Sequence, residues 1–453
     1  MKKSNLLLRR IISLVLVAIT VLSFAACGGG ENEGVASGED TGAIADASVS
    51  EDESSVVESS EEVSKEESVA DYVPLNYDVI KGIWLSQFDL SGTYMSGGKQ
   101  ANERTFRLIC EKMFAGIAEN NFNTVIVQIR PNGDSFYPSE VYCPSHYVTG
   151  AHNVDFTYDP FAIMIEEAHK AGLSVHAWIN PMRCMTAEQI VNVSTDYLLG
   201  QWYQDEALRA KYLYHNPDTT GNNYYYLNPA YPEVRAMVVD GVKEICTNYK
   251  VDAVHIDDYF YPTTNIEFDR NAFQTLGAGQ TRSKFRINNV NKMVSEMYNA
   301  IKEIKSDILF GISPAGNISN NLQSLYADVT AWCSTPGYCD YIVPQVYWGF
   351  EDSHRESRFD ICSQAWAELV TIPEVKLVIG MGLYRASETP TDEWKNNKDV
   401  IKRQLEYIDA MDKCEGFVMF SYLDLFNKTG KLGADTKEEY TNFLPVVKTF
   451  GEK

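Results

Sequence analysis

Positive charge is scarce in this chain. Its 453 residues carry 39 Lys and Arg against 62 Asp and Glu, a formal net charge of −23. Phosphate binding relies on basic patches that displace counterions, so this balance argues against a nucleic-acid partner. Metal-finger spacing is missing too. None of the nine cysteines forms a Cys-x-x-Cys pair or has a histidine at zinc spacing. No Gly-rich turn follows the first strand-like run, which removes the signature of a phosphate loop. Large apolar side chains are nearly absent from residues 28–72, and such a segment cannot bury enough surface to fold.

What is present begins at the N-terminus. Lys2, Lys3, Arg9 and Arg10 lead into an apolar run from Ile11 to Ala26. This is the charged and apolar pattern of a secretory signal. The run is shorter than the roughly 20 apolar residues that a spanning helix needs. It ends in Phe24-Ala25-Ala26-Cys27-Gly28, which resembles a bacterial lipobox with Phe24 in place of the usual Leu. The expectation is a signal over residues 1–27, with Cys27 lipidated and the protein exported and held on the extracytoplasmic face of the membrane. Residues 28–72 then read as an acidic Ser/Glu-rich linker. They hold 14 acidic side chains and one basic one, Lys65; with four positive charges in the signal, residues 73–453 keep −14 of the total. Like charges extend such a linker. In an exported chain disulfides are permitted, and Cys333 with Cys339 in one loop is the best candidate pair. Several of the other cysteines read as small buried apolar residues.

From residue 78 the pattern alternates between strand and helix. The strand-like runs are Ile80–Phe88, Asn123–Arg130, Ser174–Asn180, Val251 onward, Ile308–Ser313, Tyr341–Tyr347, Lys376–Gly382 and Gly416–Tyr422. Helical spacing follows each, with the fifth, over Leu322–Trp332, the least clear. Such alternation implies a parallel sheet, and eight units predict an α/β fold of the (β/α)₈ TIM-barrel class with long βα loops. The fourth run, Val251-Asp252-Ala253-Val254-His255-Ile256-Asp257-Asp258-Tyr259, organises the rest. Side chains alternate along a strand, so His255 and Asp257 share one face and Val254 and Ile256 the other.

Barrel active sites lie at the carboxyl ends of the strands. Polar residues fall at alternate positions there: Gln128 and Arg130, then Asn132 and Asp134; His176, Trp178 and Asn180; His255 and Asp257; Gln345 and Tyr347; Tyr422 and Asp424. Buried polar groups are costly unless satisfied, so a repeated pattern at one end suggests a binding floor. The loops at that end are long and aromatic, with Trp202, Tyr203, Tyr212, Tyr214, Tyr224, Tyr225, Tyr226 and Tyr259, and with Trp348 and Phe350 after the sixth run. Aromatic faces suit the C–H faces of sugars in a polysaccharide cleft.

A series of blocks carries a resemblance. It opens with Lys81-Gly82-Ile83-Trp84, then Val127-Gln128-Ile129-Arg130-Pro131-Asn132-Gly133-Asp134. There follow Glu166-Glu167-Ala168-His169-Lys170-Ala171-Gly172-Leu173, His176-Ala177-Trp178-Ile179-Asn180-Pro181-Met182-Arg183 and His255-Ile256-Asp257-Asp258-Tyr259-Phe260-Tyr261-Pro262. In this order they resemble the bacterial glycosyl-hydrolase-like family ten, over about residues 78–448. The resemblance implies a glycosidase barrel, export or lipid anchoring, and action on peptidoglycan glycan strands stripped of peptides, with no cofactor. Hydrolysis of a glycoside uses two carboxyl groups, one protonated and one ionised. Asp257 is expected to be the nucleophile or base, with Asp258 beside it. Glu351 is the first candidate for the acid and Asp134 the second. Gln128, Arg130, His176, Trp178, Asn180, His255, Tyr259, Gln345, Tyr347 and Trp348 are expected to bind the glycan. Two other readings remain: a non-catalytic carbohydrate-binding lipoprotein, and a metal-dependent polysaccharide deacetylase using the same Asp and His residues as ligands.

Overall fold

Eight short runs rich in β-branched and aromatic residues pair edge to edge, as such residues favour. In the computed structural model they are β1 (Ile80–Leu85), β2 (Thr124–Arg130), β3 (Ser174–Ile179), β4 (Ala253–Asp257), β5 (Leu309–Ser313), β6 (Tyr341–Ile342), β7 (Lys376–Gly382) and β8 (Cys414–Phe420). Each pairs in parallel with the next, and β8 closes on β1 to complete a barrel. The structure describes residues 68–217, 223–257, 260–433 and 436–452. Cys27, most of the linker, Asp258 and Tyr259 lie outside the described residues.

A helix follows every strand: α1 (Glu103–Glu119), α2 (Pro160–Lys170), α3 (Pro232–Asn248), α4 (Arg282–Ile304), α5 (Val329–Ser334), α6 (Phe359–Leu369), α7 (Val400–Asp409) and α8 (Lys437–Thr449). Their starts are set locally. Asn102 accepts from the Thr105 N–H, Asp159 accepts from Phe161 and Ala162 ahead of Pro160, and Thr281 accepts from Lys284. The β3–α3 connection adds a small antiparallel sheet of Arg183–Thr186, Leu213–Pro217 and Asn223–Leu227. No helix among the described residues is long and apolar enough to cross a membrane.

Several elements differ from the sequence pattern. β1 stops at Leu85 because Ser86 caps a helical turn, Gln87–Leu90. β6 stops at Ile342 because Pro344, two residues on, has no N–H for the ladder. The helix expected over Leu322–Trp332 is two pieces, Ile318–Gln323 and α5, the second capped by Asp328. Cys333 and Cys339 are both buried free thiols rather than a bridge.

Period-two alternation sorts the barrel's side chains into two cores. Val125, Val127, Ile129, Val254, Ile256, Phe310 and Ile312 point outward under the helices. Ile80, Trp84, Ile126, Trp178, Tyr341, Val378 and Val418 fill the interior. At the bottom end, the buried Asp252 carboxylate accepts from Val175 N (2.6 Å), Leu75 N (2.5 Å) and the Tyr72 hydroxyl (2.6 Å), with His169 Nε2 at 3.0 Å. The chain is therefore already fastened to the barrel at Tyr72.

Midway up the interior lies a polar layer. The Tyr341 hydroxyl is 2.7 Å from His176 Nδ1 and 3.0 Å from His255 Nδ1. A phenol has one proton, so it donates to one imidazole and accepts from the other. Burial holds His176 down to about 4 and His255 well below its ordinary value, so both rings are neutral. Gly311 makes room for this layer, since a Cβ there would overlap the Tyr341 ring.

Two outcomes follow. Gly311→Ala overpacks the interior and lowers stability by about 1–3 kcal/mol in chemical denaturation. The neutral histidines give the fold an acid limit. An unfolded His titrates near 6.5 and takes up a proton that His176 refuses until about pH 4. The unfolded state therefore binds more protons in that window, and stability falls as pH drops through it, by about 3 kcal/mol for His176 alone. Melting temperatures across the window, wild type against His176→Gln, measure the slope; the variant's slope is shallower.

Candidate active site

A chain of amides crosses the mouth of the barrel and ends on Asp257. The Gln87 backbone N–H donates to Gln128 Oε1 at 2.7 Å. Gln128 Nε2 donates to Asn180 Oδ1 at 2.6 Å. Asn180 Nδ2 donates to Asp257 Oδ1. These groups stand on the inward faces at the ends of β1, β2, β3 and β4. Every donor in the series points toward Asp257, so the amide dipoles add in one sense and favour an anion at its end. Gln128, Asn180 and Asp257 are buried at 3%, 2% and 8% exposure. Asp257 is thus a nearly enclosed carboxylate with its charge supported from below.

The two sides of the mouth differ in chemistry. On the β2–β5 side stand Gln128, Asn180, Asp257 and Ser313. The Ser313 hydroxyl and the Trp178 indole N–H are buried without a hydrogen-bond partner among the described residues. On the β6–β1 side stand Tyr347, Tyr384, Phe420 and Trp84. Tyr347 stacks on Phe420 with centroids 6.0 Å apart, and Trp84 and Tyr384 meet Phe420 edge-on at 6.1 and 6.2 Å. Gly382 lets Tyr347 approach β7, since a Cβ there would lie 3.0 Å from the Tyr347 Cβ. A pyranose has hydroxyls around its edge and C–H groups on its faces, and this mouth offers a partner to each.

The other expected site residues fall into three places. His176 and His255 lie below the mouth, bonded to Tyr341 rather than facing the opening. Arg130 is fully buried behind β2 and β3, donating to the Asn180 and Pro181 carbonyls and lying over the Tyr142 ring at 4.7 Å. Asp134 is 1% exposed, and neither oxygen finds a donor among the described residues. Gln345, Tyr347 and Trp348 follow β6. Gln345 donates to the Ser313 carbonyl at 3.3 Å. Trp348 has its carbonyl held by Gln404 at 2.8 Å. Glu351 is exposed on the loop beyond them.

Sequence reasoning passed over the group that steadies that loop. Glu393 is 2% exposed. It accepts from the Glu351 backbone N–H at 3.0 Å and pairs with Arg403 Nη2 at 3.0 Å. It also passed over Gln87, Tyr341, Tyr384 and Phe420, which come from separate strands and share no local motif. Alternation with Gly82 could have flagged Trp84 as inward-facing. Asp424, after β8, is partly exposed, and burial lifts its pKa to about 6. Among the described residues no three His, Cys, Asp or Glu side chains are grouped to hold a metal ion.

The comparisons with known proteins can now be set beside this geometry. In overall shape the chain is similar to the glycoside hydrolase domain of PgaB (BpsB) from Bordetella bronchiseptica, with a TM-score of 0.55 at 9% identity over 83% of this chain and 99% of that one. It is also similar to the catalytic domain of a β-amylase from Paenibacillus polymyxa, at 0.51 and 11% over 82% and 99%. At such identities these likenesses establish the fold, a TIM barrel. In sequence the chain is 34% identical over 337 residues to glycosyl hydrolase YngK of Bacillus subtilis, covering 69% of this chain and 62% of YngK. The chain thus spans less than two thirds of that relative. It is 31% identical over 327 residues to glycosyl hydrolase DigH of Escherichia coli K12, covering 68% of this chain and 73% of DigH. The model of the family described as glycosyl hydrolase-like 10 matches residues 79–397. The chain belongs to the glycosyl hydrolase-like 10 family.

Proposed function

We propose that this protein is a glycoside hydrolase that cuts cell-wall glycan, with peptidoglycan strands stripped of their peptides as the substrate. The observation that carries the reading is the amide chain ending on Asp257, opposite an aromatic wall. A carboxylate supported by amide donors stays ionised, as a nucleophile or base must. The wall holds the sugar's C–H face, while Gln128, Trp178, Asn180, Ser313 and Gln345 offer hydrogen bonds to hydroxyl or acetamido groups. Glu351 is the proposed acid: its loop follows β6, its backbone is anchored by Glu393, and its side chain is open to an incoming strand. Export and anchoring at Cys27 would put this mouth beside the wall polymer. His176, His255 and Arg130 support the floor rather than grip the glycan.

Substitutions at Asp257, Asn180 and Glu351 test this. Asp257→Asn keeps the shape and removes the charge, so turnover of peptide-free strands drops about 10²–10⁴-fold while strand binding persists. Wild-type turnover in that variant would end the proposal. Asn180→Ala removes the donor and lowers kcat/KM about 10- to 100-fold. Asn180→Asp places a second negative charge beside Asp257, which raises its pKa and moves the acid limb of the pH–rate profile upward. Glu351→Gln loses activity mainly on substrates with poor leaving groups; a silent Glu351→Gln would remove Glu351 as the acid and make Asp134→Asn the next variant to assay. For the anchor, Cys27→Ala shifts the protein from the membrane to the soluble fraction on cell fractionation. Retention at the wild-type level would mean an uncleaved apolar anchor.

A further inference from the structure

The ends of β1 and β8 are joined by a device that the reaction does not explain. Ser86 starts the turn Gln87–Leu90 after β1, and Ser421 starts the turn Tyr422–Leu425 after β8. Both close as capping boxes, Ser86 with Asp89 and Ser421 with Asp424. The two boxes are also bonded to each other. Asp89 Oδ1 accepts from the Ser421 hydroxyl at 2.9 Å and from the Leu423 N–H at 2.8 Å. Its Oδ2 accepts from the Ser86 N–H at 2.8 Å and hydroxyl at 2.5 Å. Asp89 is 3% exposed, so a buried carboxyl with four donors locks the two turns into one bracket.

What the bracket presents to solvent is apolar. Phe88 is 63% exposed and Leu423 is 41% exposed. A scattered exposed Phe needs no explanation. This one sits on a hydrogen-bonded mount at the mouth, and the turn bonded to that mount through Asp89 carries a second exposed apolar residue. Both lie just beyond the aromatic wall, since Trp84 precedes Ser86 and Phe420 precedes Ser421. The exposed pair thus follows Trp84 of β1 and Phe420 of β8 by four and three residues.

We propose that Phe88 and Leu423 form an outer carbohydrate subsite. It would take a pyranose ring of the same glycan, at least one unit away from the bond being cut, against its C–H face. The proposal rests on the reading of the site as glycan-binding. Their place on the turns that directly follow the two strands carrying Trp84 and Phe420 favours a sugar over a lipid surface. So does the entry of the chain at the opposite end of the barrel, where Tyr72 is bonded to Asp252.

The test compares wild type, Phe88→Ala, the double variant Phe88→Ala/Leu423→Ala, and Phe88→Trp, all as the full chain. Substrates are peptide-free peptidoglycan strands and short oligosaccharides of the same sugars that end before the rim. Both positions are exposed, so melting temperatures stay at the wild-type value. The double variant raises KM on strands about two- to tenfold, the scale of one aromatic stacking contact, and leaves kinetics on short oligosaccharides unchanged. Phe88→Trp keeps the wild-type KM on strands. Equal effects on long and short substrates, or none on either, would overturn the subsite. So would Phe88-dependent flotation with anionic lipid vesicles alongside unchanged strand kinetics, which makes the patch a membrane contact. If wild type cuts nothing, the hydrolase reading fails by itself, and strand retention decides the subsite: weaker retention in Phe88→Ala supports it and equal retention removes it.

Discussion

The bond from Asn180 to Asp257 is the point on which the mouth depends. A carboxylate at 8% exposure would take up a proton or bend toward solvent without nearby donors. Asn180 supplies one, and its own carbonyl oxygen is taken by Gln128, whose carbonyl oxygen is taken by the Gln87 backbone. Each amide is fixed by the one before it. None can rotate without leaving its neighbour unpaired, a change that costs about 1–3 kcal/mol per buried group. The parallel barrel makes this series available, because inward-facing positions at the ends of β1 to β4 stand side by side.

The layers beneath serve that rim. The neutral His176–Tyr341–His255 group ties β3, β6 and β4 together in the interior. The Tyr341 hydroxyl meets one nitrogen of each ring, in a space that Gly311 leaves open. Below it, Asp252 draws Val175, Leu75, Tyr72 and His169 onto the bottom of β3 and β4. The strands that carry Asn180 and Asp257 are thus pinned at the foot, in the middle and at the top. In the proposed reaction, such support would keep the Asp257 carboxylate within the narrow geometric tolerance of chemistry at a glycosidic bond.

Much of this was legible from residue order. β7 spans Lys376–Gly382, as its pattern predicts, and period two puts His255 and Asp257 on one face of β4. Alternation reveals the face but not the height. His176 and His255 share the face of Asn180 and Asp257 yet lie one or more layers lower, with protein partners. Asp134 follows β2 closely enough to suggest the mouth, but the Gly133 turn, with φ of +78°, leads it into an enclosed position. The aromatic wall was hidden for another reason. Trp84 and Phe420 stand on β1 and β8, Tyr347 and Tyr384 lie on the loops after β6 and β7, and barrel closure makes them neighbours; of the four, sequence order singled out Tyr347. Phe88 reads as a strand residue until Ser86 is seen to cap a turn and swing it outward.

The central claim is that the mouth hydrolyses a glycosidic bond, and the products formed in water enriched in oxygen-18 test it most directly. Peptide-free glycan strands are incubated with the full-chain protein, and the fragments are read by mass spectrometry. Hydrolysis predicts one heavy oxygen at each new reducing end, saturated fragments and intact acetamido groups. Fragments without heavy oxygen, unsaturated ends, or strands of undiminished length that have lost acetyl groups would contradict it.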